Sequence, residues 1–394
     1  MNTELTLLAE RLGVTEYPEE LEPIYASLCQ KAPLCGITET IEQLHLEYAP
    51  FGSYYDFVLR GTRALLNDKD LLAWLTLGVT YCTEASEKDA ARFPIPAGDG
   101  SEARDVFPIL LVALEFPETV IRHRARGFDE AQIKKNLGNL GENIRVHDLT
   151  QGRPSISQGL YTWLTHYTKA RIFDHMGFNF QASNWGDEAM MIRNRQSGES
   201  VFLMLGGNFT ANGTLVGLRG AEDVPAFFEA TFEETEDAFI GYRAVGQRVC
   251  TERECFSKKE WEAILRPGDD VIKFHIPRGA NFDPAHVDES MEQGWALCKK
   301  YYPECDFRKI VCTSWMLDPK LLDILPEHAK IAQFIRRFIL FPSRDTAGNA
   351  CMSYVWPGET CPTEELPENT SLQRGIKRMM LENSYIFWTS GAWK

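Results

Sequence analysis

The sequence predicts an α+β protein, in which an N-terminal helical bundle is followed by a mixed β-sheet with flanking helices. Three observations support this fold class. Apolar residues recur at helical spacing through residues 1–155, short β-branched and aromatic segments begin at Phe178, and a strand–helix–strand unit occupies residues 269–317. The chain of 394 residues is long enough for two domains, which we place at residues 1–155 and 156–394.

The first domain is predicted to be helical throughout. Leu5, Leu8 and Leu12 share one helical face, and residues 65–77 carry dense apolar positions at the same spacing. A proline- and glycine-rich stretch at residues 93–98 indicates a loop. One more amphipathic helix, at residues 156–173, leads into the second domain.

The second domain begins with short strands. They are predicted at residues 178–181, 188–193 and 200–205. The remaining assignments are an acidic helix at 221–240, a short helix at 258–265, a last strand pair of 339–342 with 351–356, and a final helix at 370–381.

The strand–helix–strand unit lies at the centre of the predicted sheet. Residues 271–276 form a strand that Pro277 and Gly279 stop, and Asp283 with Pro284 starts a helix, the carboxylate capping free N–H groups. Residues 309–317 form the second strand. A connection of this length favours parallel neighbours, and ligands of such units bind at the carboxyl ends of the strands, here near His275 and Ser314.

Charge and hydropathy exclude several classes of partner. The formal net charge is −15, which argues against a nucleic-acid backbone or an anionic membrane surface as partner. The apolar run at residues 109–114 is far shorter than the ~18 residues of a membrane span. With no secretory leader at the N-terminus, we expect a cytoplasmic protein.

The cysteines indicate neither a disulfide scaffold nor a metal site. There are ten in the chain, and Cys298, Cys305 and Cys312 are each seven residues apart. A structural zinc site needs closer Cys-x-x-Cys pairs. We therefore expect reduced thiols and no metal.

Several stretches resemble a family of N-acyltransferases. They are residues 275–277, the helix that carries Ser290, and residues 312–319, 333–338 and 366–374. In that family a helical N-terminal domain precedes a GNAT-like C-terminal domain. The resemblance implies that the protein transfers an acyl group from acyl-CoA, its co-substrate, to a small-molecule amine.

The resemblance also implies cofactor-binding residues. GNAT enzymes hold the coenzyme A pyrophosphate on backbone N–H groups before a helix, in an Arg/Gln-x-x-Gly-x-Gly/Ala loop. Residues 277–283 are the equivalent here, with the single glycine Gly279, with Arg278 as a positive charge and with Asp283 at the cap. Arg337, inside a family motif, is a further phosphate contact. The alternative is a purely structural loop, with the arginines paired to nearby carboxylates.

His275 and Ser314 are the candidate catalytic residues. A histidine at the end of the central strand can remove the proton of the attacking amine, and a serine on the next strand can hydrogen-bond the substrate or the leaving thiolate. The alternative for His275 is a structural hydrogen bond at the strand end. The alternative for the whole protein is a non-catalytic, GNAT-derived module that binds a metabolite or a protein.

Overall fold

The computed structural model describes residues 3–28 and 34–394, which divide into two compact units. The first ends at Asp174 and the second covers His175–Lys394. Residues 156–173, predicted as one helix that leads into the second domain, lie within the first unit, and the helix itself spans only Gln158–Thr168. No helix in the described part of the chain is long and apolar enough to cross a membrane.

The first unit is helical, as predicted. Its elements are α1 (Thr3–Leu12), α2 (Leu21–Leu28), α3 (Ile37–Tyr48), α4 (Tyr55–Leu66), α5 (Lys69–Glu84), α6 (Glu87–Ala90), α7 (Glu102–Ala113), α8 (Phe116–Ala125), α9 (Glu130–Gln151) and α10 (Gln158–Thr168), with β1 (Ile172–His175) at the boundary. Side chains of Asp68, Ser101 and Asp129 cap α5, α7 and α9 by accepting backbone N–H groups of the first turn.

Helix α7 is the centre of this unit. Its residues from Asp105 to Ala113 are all buried. Helix α4 approaches α7 closely at Gly61, where a Cβ would lie 2.6 Å from Cβ of Val106. The sequence pattern of α7, apolar on every side, is therefore the pattern of a core helix.

A buried ion pair lies beside this core. Glu115 is fully buried, Lys169 is 8% exposed, and Nζ of Lys169 lies 3.3 Å from Oε2 of Glu115. Burial raises the pKa of Glu115, while Lys169 and Arg122 oppose that shift. Nζ of Lys169 also contacts the carbonyl of Cys82, so this ammonium holds two buried oxygens.

The second unit contains two sheets and their helices. The strands are β2 (Phe178–Asn184), β3 (Ala189–Asn194), β4 (Ser200–Met204), β5 (Asn208–Phe209), β6 (Phe228–Glu229), β7 (Glu233–Glu234), β8 (Ala238–Val245), β9 (Arg248–Val249), β10 (Glu254–Ser257), β11 (Trp261–Leu265), β12 (Asp270–His275), β13 (Lys309–Ser314), β14 (Phe338–Pro342) and β15 (Thr389–Trp393). The helices are α11 (Pro284–Tyr301), α12 (Leu321–Ile324), α13 (Lys330–Ile335), α14 (Met352–Val355) and α15 (Ser371–Leu381).

In the first sheet, the strands of this unit lie in the order β2-β12-β13-β15-β14. In the second sheet the order is β10-β8-β4-β3-β11, and β7 and β9 also pair with β8. One face of the first sheet packs on the second sheet through a core that includes Val271, Val311, Phe202 and Phe341. Helix α11 covers the other face, where Phe180 lies so close to Gly294 that a Cβ there would overlap its ring. The predicted mixed sheet with flanking helices is confirmed.

Three secondary-structure predictions are wrong. The predicted helix at 221–240 contains β6, β7 and the start of β8, and the predicted helix at 258–265 ends in β11, which pairs with β3. The acidic run that suggested a helix face is instead paired between strands and loops: Glu234 binds Lys258 and Arg266 at 2.8 and 2.7 Å. Ion pairs between β7 and the residues that directly follow β10 and β11 produced the charge pattern, and tertiary context decided the conformation.

The third error concerns the end of the sheet. Residues 352–355 form helix α14, and the partner of β14 is β15 near the C-terminus. The segment Thr389–Trp393 is short and contains Gly391, which weakens a strand pattern. Gly391 has a packing reason: a Cβ at that position would lie 2.9 Å from Cδ2 of Leu340.

Candidate functional site

The two central parallel strands part at their carboxyl ends. The β12–β13 ladder pairs Val271 with Lys309, Ile272 with Ile310 and Lys273 with Val311, which confirms the predicted parallel neighbours. Beyond these pairs β12 continues to His275 beside β2, and β13 continues to Ser314 beside β15. An opening therefore separates the two strands where parallel units usually bind ligands.

Exposure of Thr313 marks the same opening. Thr313 lies on a central strand of the sheet, yet it is exposed, while its neighbours Cys312 and Ser314 are buried. Strand side chains alternate between faces, so Thr313 shares its face with Val311, which packs against the second sheet. The opening is thus accessible from the face opposite α11.

A cavity of about 260 Å³ lies on that face. Its lining includes Thr313 and Ser390 on adjacent strands, Phe341 and Arg344 at the end of β14, and Asp187 and Glu188 before β3. Oγ1 of Thr313 lies 2.8 Å from Oγ of Ser390. The hydroxyl pair forms a polar floor beneath partly apolar walls.

Two acidic residues, Asp187 and Glu188, line this cavity, and their side chains differ in burial and in ion pairing. Glu188 forms an ion pair with Arg344, and both side chains are about half exposed or more. Asp187 is partly buried, and burial raises its pKa, whereas a hydrogen bond from Ser390 and the Lys273 ammonium oppose the shift. In the part of the chain that the structure describes, Asp187 takes part in no ion pair. Its interaction with Lys273 is electrostatic and long-range.

Sequence reasoning missed Asp187. It follows Trp185-Gly186 between two predicted strands, which in a sequence is an ordinary turn carboxylate. Only the packing of the second sheet on the first brings this turn over β13 and β15.

His275 and Ser314 do not form a pair. His275 is the partly buried last residue of β12, and its Nε2 lies 2.8 Å from Oε1 of Gln181 on β2. Ser314 is buried on the opposite face from Thr313, and its hydroxyl accepts from the Met316 N–H at 3.2 Å, which caps the 3-10 helix Trp315–Leu317. Their catalytic roles remain predictions.

The predicted coenzyme residues also have partners within the chain. Nη2 of Arg278 donates to the Ser353 carbonyl at 2.9 Å. Gly279 has a φ of +80°, a conformation that favours glycine, and a Cβ there would meet open space. Arg337 binds Asp288 on α11 through two hydrogen bonds of 2.7 and 2.8 Å, which lower the pKa of Asp288.

The start of α11 differs from the prediction. The Asp283 side chain makes no capping hydrogen bond and instead lies 3.6 Å from Nζ of Lys330. The carboxylate therefore does not occupy the first-turn N–H groups. Arg278, Gly279 and Asp283 share one loop, while Arg337 meets α11 one turn further on.

The described residues contain no group of three or more His, Cys, Asp or Glu side chains that could hold a metal ion. No disulfide joins two of the described cysteines, and Cys29 lies outside the described residues.

A helical unit followed by a mixed sheet with parting central strands defines the class as GNAT-like. The family described as the GNAT-like C-terminal domain matches residues 191–393, and the chain belongs to this family. A comparison with curated proteins finds no match.

Solved structures show the same fold over the whole chain. An acyltransferase mutant in complex with octanoyl-CoA is 16% identical, with a TM-score of 0.66 over 99% of this chain and 98% of that one. An acyltransferase in complex with decanoyl-CoA and teicoplanin is 15% identical, with a TM-score of 0.65 over 99% of both chains. An acyltransferase in complex with decanoyl-CoA is 18% identical, with a TM-score of 0.65 over 98% of both.

Proposed function

We propose that this protein is an N-acyltransferase that moves an acyl group from acyl-CoA to a small-molecule amine. The observation that carries the proposal is the parting of β12 and β13 after Lys273 and Val311, which leaves Thr313 exposed in the middle of a sheet. In a GNAT fold such an opening admits the acyl-pantetheine chain. Acyl-CoA complexes of the structurally similar acyltransferases support the same substrate class. The cytoplasmic location expected from the sequence is part of this proposal.

The proposed reaction is direct attack. The amine lone pair forms a bond to the thioester carbonyl carbon, the C–S bond breaks, coenzyme A leaves as the thiolate, and the nitrogen loses a proton. We assign His275 as the base that takes this proton, because it ends β12 on the same face as Lys273 and the opening. Gln181 Oε1 can only accept a hydrogen bond, so Nε2 of His275 donates to it and the ring orientation is fixed.

The same proposal assigns coenzyme contacts to Arg278, Gly279 and Arg337, and a substrate hydrogen bond to Ser314. The positive φ of Gly279 turns the loop before α11, whose first-turn N–H groups the Asp283 side chain leaves uncapped. Helix N-termini favour phosphate. When the coenzyme binds, the guanidinium of Arg337 would leave the Asp288 carboxylate and bind a phosphate group instead.

Binding of acyl-CoA is the first test. Octanoyl-CoA and decanoyl-CoA should raise the thermal unfolding midpoint, because a ligand that binds only the native state stabilises it. Coenzyme A alone should raise it less, since each buried methylene contributes ~0.8 kcal/mol. A midpoint that none of the three compounds moves would refute the proposal.

Replacement of His275 tests the base assignment. His275→Ala should lower turnover ~10²-fold or more at saturating substrates, the scale of lost general-base help, without changing the affinity for octanoyl-CoA. His328→Ala, at an exposed position, is the matched control and should retain wild-type turnover. Equal rates for the two variants would remove His275 from the mechanism.

The alternative is a GNAT-derived binding module without catalysis. The contacts of Arg278 with Ser353 and of Arg337 with Asp288 favour it, since both cations already have partners. This alternative predicts saturable binding of acyl-CoA with no release of coenzyme A in the presence of any amine. Detection of acylated amine by mass spectrometry excludes it.

A further inference from the structure

We infer that the cavity above β13 and β15 is the acceptor site, and that Asp187 binds the ammonium group of a small primary amine. This inference rests on the proposed function and specifies its acceptor. The observations that support it are the position of the cavity, the hydroxyl groups at its floor beside Asp187 and the distribution of its charges.

The cavity lies next to the opening between the central strands. Thr313 belongs to both, since it lines the cavity and borders the point where β12 has left β13. A nucleophile held over Thr313 is therefore adjacent to a thioester that enters between the strands. Transfer by direct attack requires this proximity. The bound ammonium first gives one proton to the base, which frees the lone pair for attack, and the nitrogen loses its second proton as the C–S bond breaks and coenzyme A leaves.

The hydroxyl floor lies beside Asp187, since all three residues line the cavity. Oγ1 of Thr313 and Oγ of Ser390 are 2.8 Å apart, and either hydroxyl can be the donor. A carboxylate has about four acceptor sites, and the hydrogen bond from Ser390 that lowers the Asp187 pKa accounts for at most one. The remaining sites suit a ligand that brings several donors, and an ammonium brings three.

The distribution of charges around the cavity also indicates Asp187 as the carboxylate that binds the ammonium group. Glu188 is already neutralised by Arg344, whereas Asp187 is partly buried and makes no ion pair among the described residues. A desolvated carboxylate gains most from a cation that binds it directly. The long-range effect of Lys273 does not replace such a contact.

Size and walls define the body of the acceptor. About 260 Å³ is below the ~300–1,000 Å³ of sites that enclose drug-sized ligands, so the cavity takes a small amine or the amine-bearing end of a larger molecule. Met204, Phe209, Leu215 and Phe341 provide apolar walls. The site therefore suits a primary amine on a compact apolar or aromatic group.

Benzylamine and its neutral isostere benzyl alcohol are suitable probes. We expect saturable binding of benzylamine to the wild-type protein by calorimetry. Asp187→Asn, which retains an acceptor for Ser390, should weaken it ~10-fold or more, the scale of a charge-assisted hydrogen bond. Benzyl alcohol should bind both forms equally. Glu199→Gln, an exposed turn carboxylate, is the matched control and should bind benzylamine as the wild type does.

A second variant tests the same site independently, so that the inference can be checked even if Asp187→Asn does not fold. Gly186 lines the cavity, and a Cβ at this position meets no atom within 4 Å, so the fold can accommodate Gly186→Phe and its ring is expected to take up space at the site. It should also abolish benzylamine binding. Absence of benzylamine binding to the wild type, or equal affinity in the wild type and Asp187→Asn, overturns the acceptor assignment.

Octanoyl-CoA binding separates this inference from the proposed function. Both variants should bind octanoyl-CoA with wild-type affinity, and Asp187→Asn should raise KM for benzylamine more than it lowers kcat. A wild type that binds benzylamine through Asp187 but binds no acyl-CoA would refute the proposed function and leave Asp187 as part of an amine-binding site only. Binding of octanoyl-CoA without any effect of Asp187 on the amine would refute the inference alone.

Discussion

Replacing Lys169 with methionine is expected to destabilise the first unit by about 3–5 kcal/mol, because it leaves the fully buried Glu115 carboxylate without its ammonium partner. Oε1 of Glu115 already has no hydrogen-bond partner among the described residues. Arg122 remains nearby, but its guanidinium donates to the carbonyl of Thr168 at 3.1 Å. The measurement is chemical denaturation of the full chain at pH 7.

The loss should depend on pH with a defined sign. Burial raises the pKa of Glu115 in the folded protein, and loss of Lys169 raises it further. A raised carboxyl pKa contributes stability below the unfolded-state pKa, and that contribution is lost as the pH rises through the folded value. The variant should therefore be closer to the wild type at pH 5 than at pH 8.

Two further variants make this prediction specific. Lys169→Met combined with Glu115→Leu should recover most of the loss, since an apolar pair avoids both desolvation costs. Arg11→Met breaks the exposed pair with Asp70, whose side chains are 55% and 39% exposed, and should cost about 1 kcal/mol or less. A Lys169→Met loss no larger than that of Arg11→Met would show that the buried pair contributes little.

Asp318→Ala is expected to destabilise the second unit by about 2–4 kcal/mol at pH 7, because two backbone N–H groups lose their acceptor. The fully buried Asp318 carboxylate accepts from the N–H groups of Phe387 and Lys320 at 2.8 and 2.9 Å. These bonds fix the segment that leads into β15. Asp323→Ala, one turn further at an exposed position, is the control and should stay near the wild type.

The pH dependence of this loss tests whether ionisation of the Asp318 carboxyl group contributes to it. Burial raises the pKa of Asp318 from 3.8 to about 6. The stability that this shift contributes is present below pH 3.8 and is lost as the pH rises to about 6. The gap between wild type and Asp318→Ala should therefore widen from pH 7 to pH 5, and a gap that narrows would contradict the assigned shift.

The sequence predicted the central parallel pair because its evidence is local. β-Branched residues, Pro277 with Gly279, and Asp283-Pro284 each mark an element boundary within a few residues. The acidic stretch around Glu234 was misread because its partners, Lys258 and Arg266, are distant in sequence. Charge spacing along a chain does not distinguish a solvated helix from a strand whose acidic residues pair with basic residues in distant turns.

The candidate site was only partly predictable for a related reason. The opening at His275 follows from two parallel strands, which the sequence indicates. The cavity depends on which face each residue takes, and Ser314 differs from Thr313 by one position and so lies on the opposite side. Asp187 depends on packing between two sheets, for which a single sequence contains no periodic pattern.

The insertion of β15 between β13 and β14 also determines when the site can form during folding. Thr313 and Ser390 are 77 residues apart in the chain, and closing so long a loop costs entropy before any strand contact compensates for it. The helices of the first unit, whose backbone hydrogen bonds join residues four positions apart, can form earlier. Until β15 docks, β13 is an open edge on which other chains could pair. The hydroxyl floor of the cavity is therefore expected to assemble late, and molecules arrested before that step should aggregate rather than bind an amine.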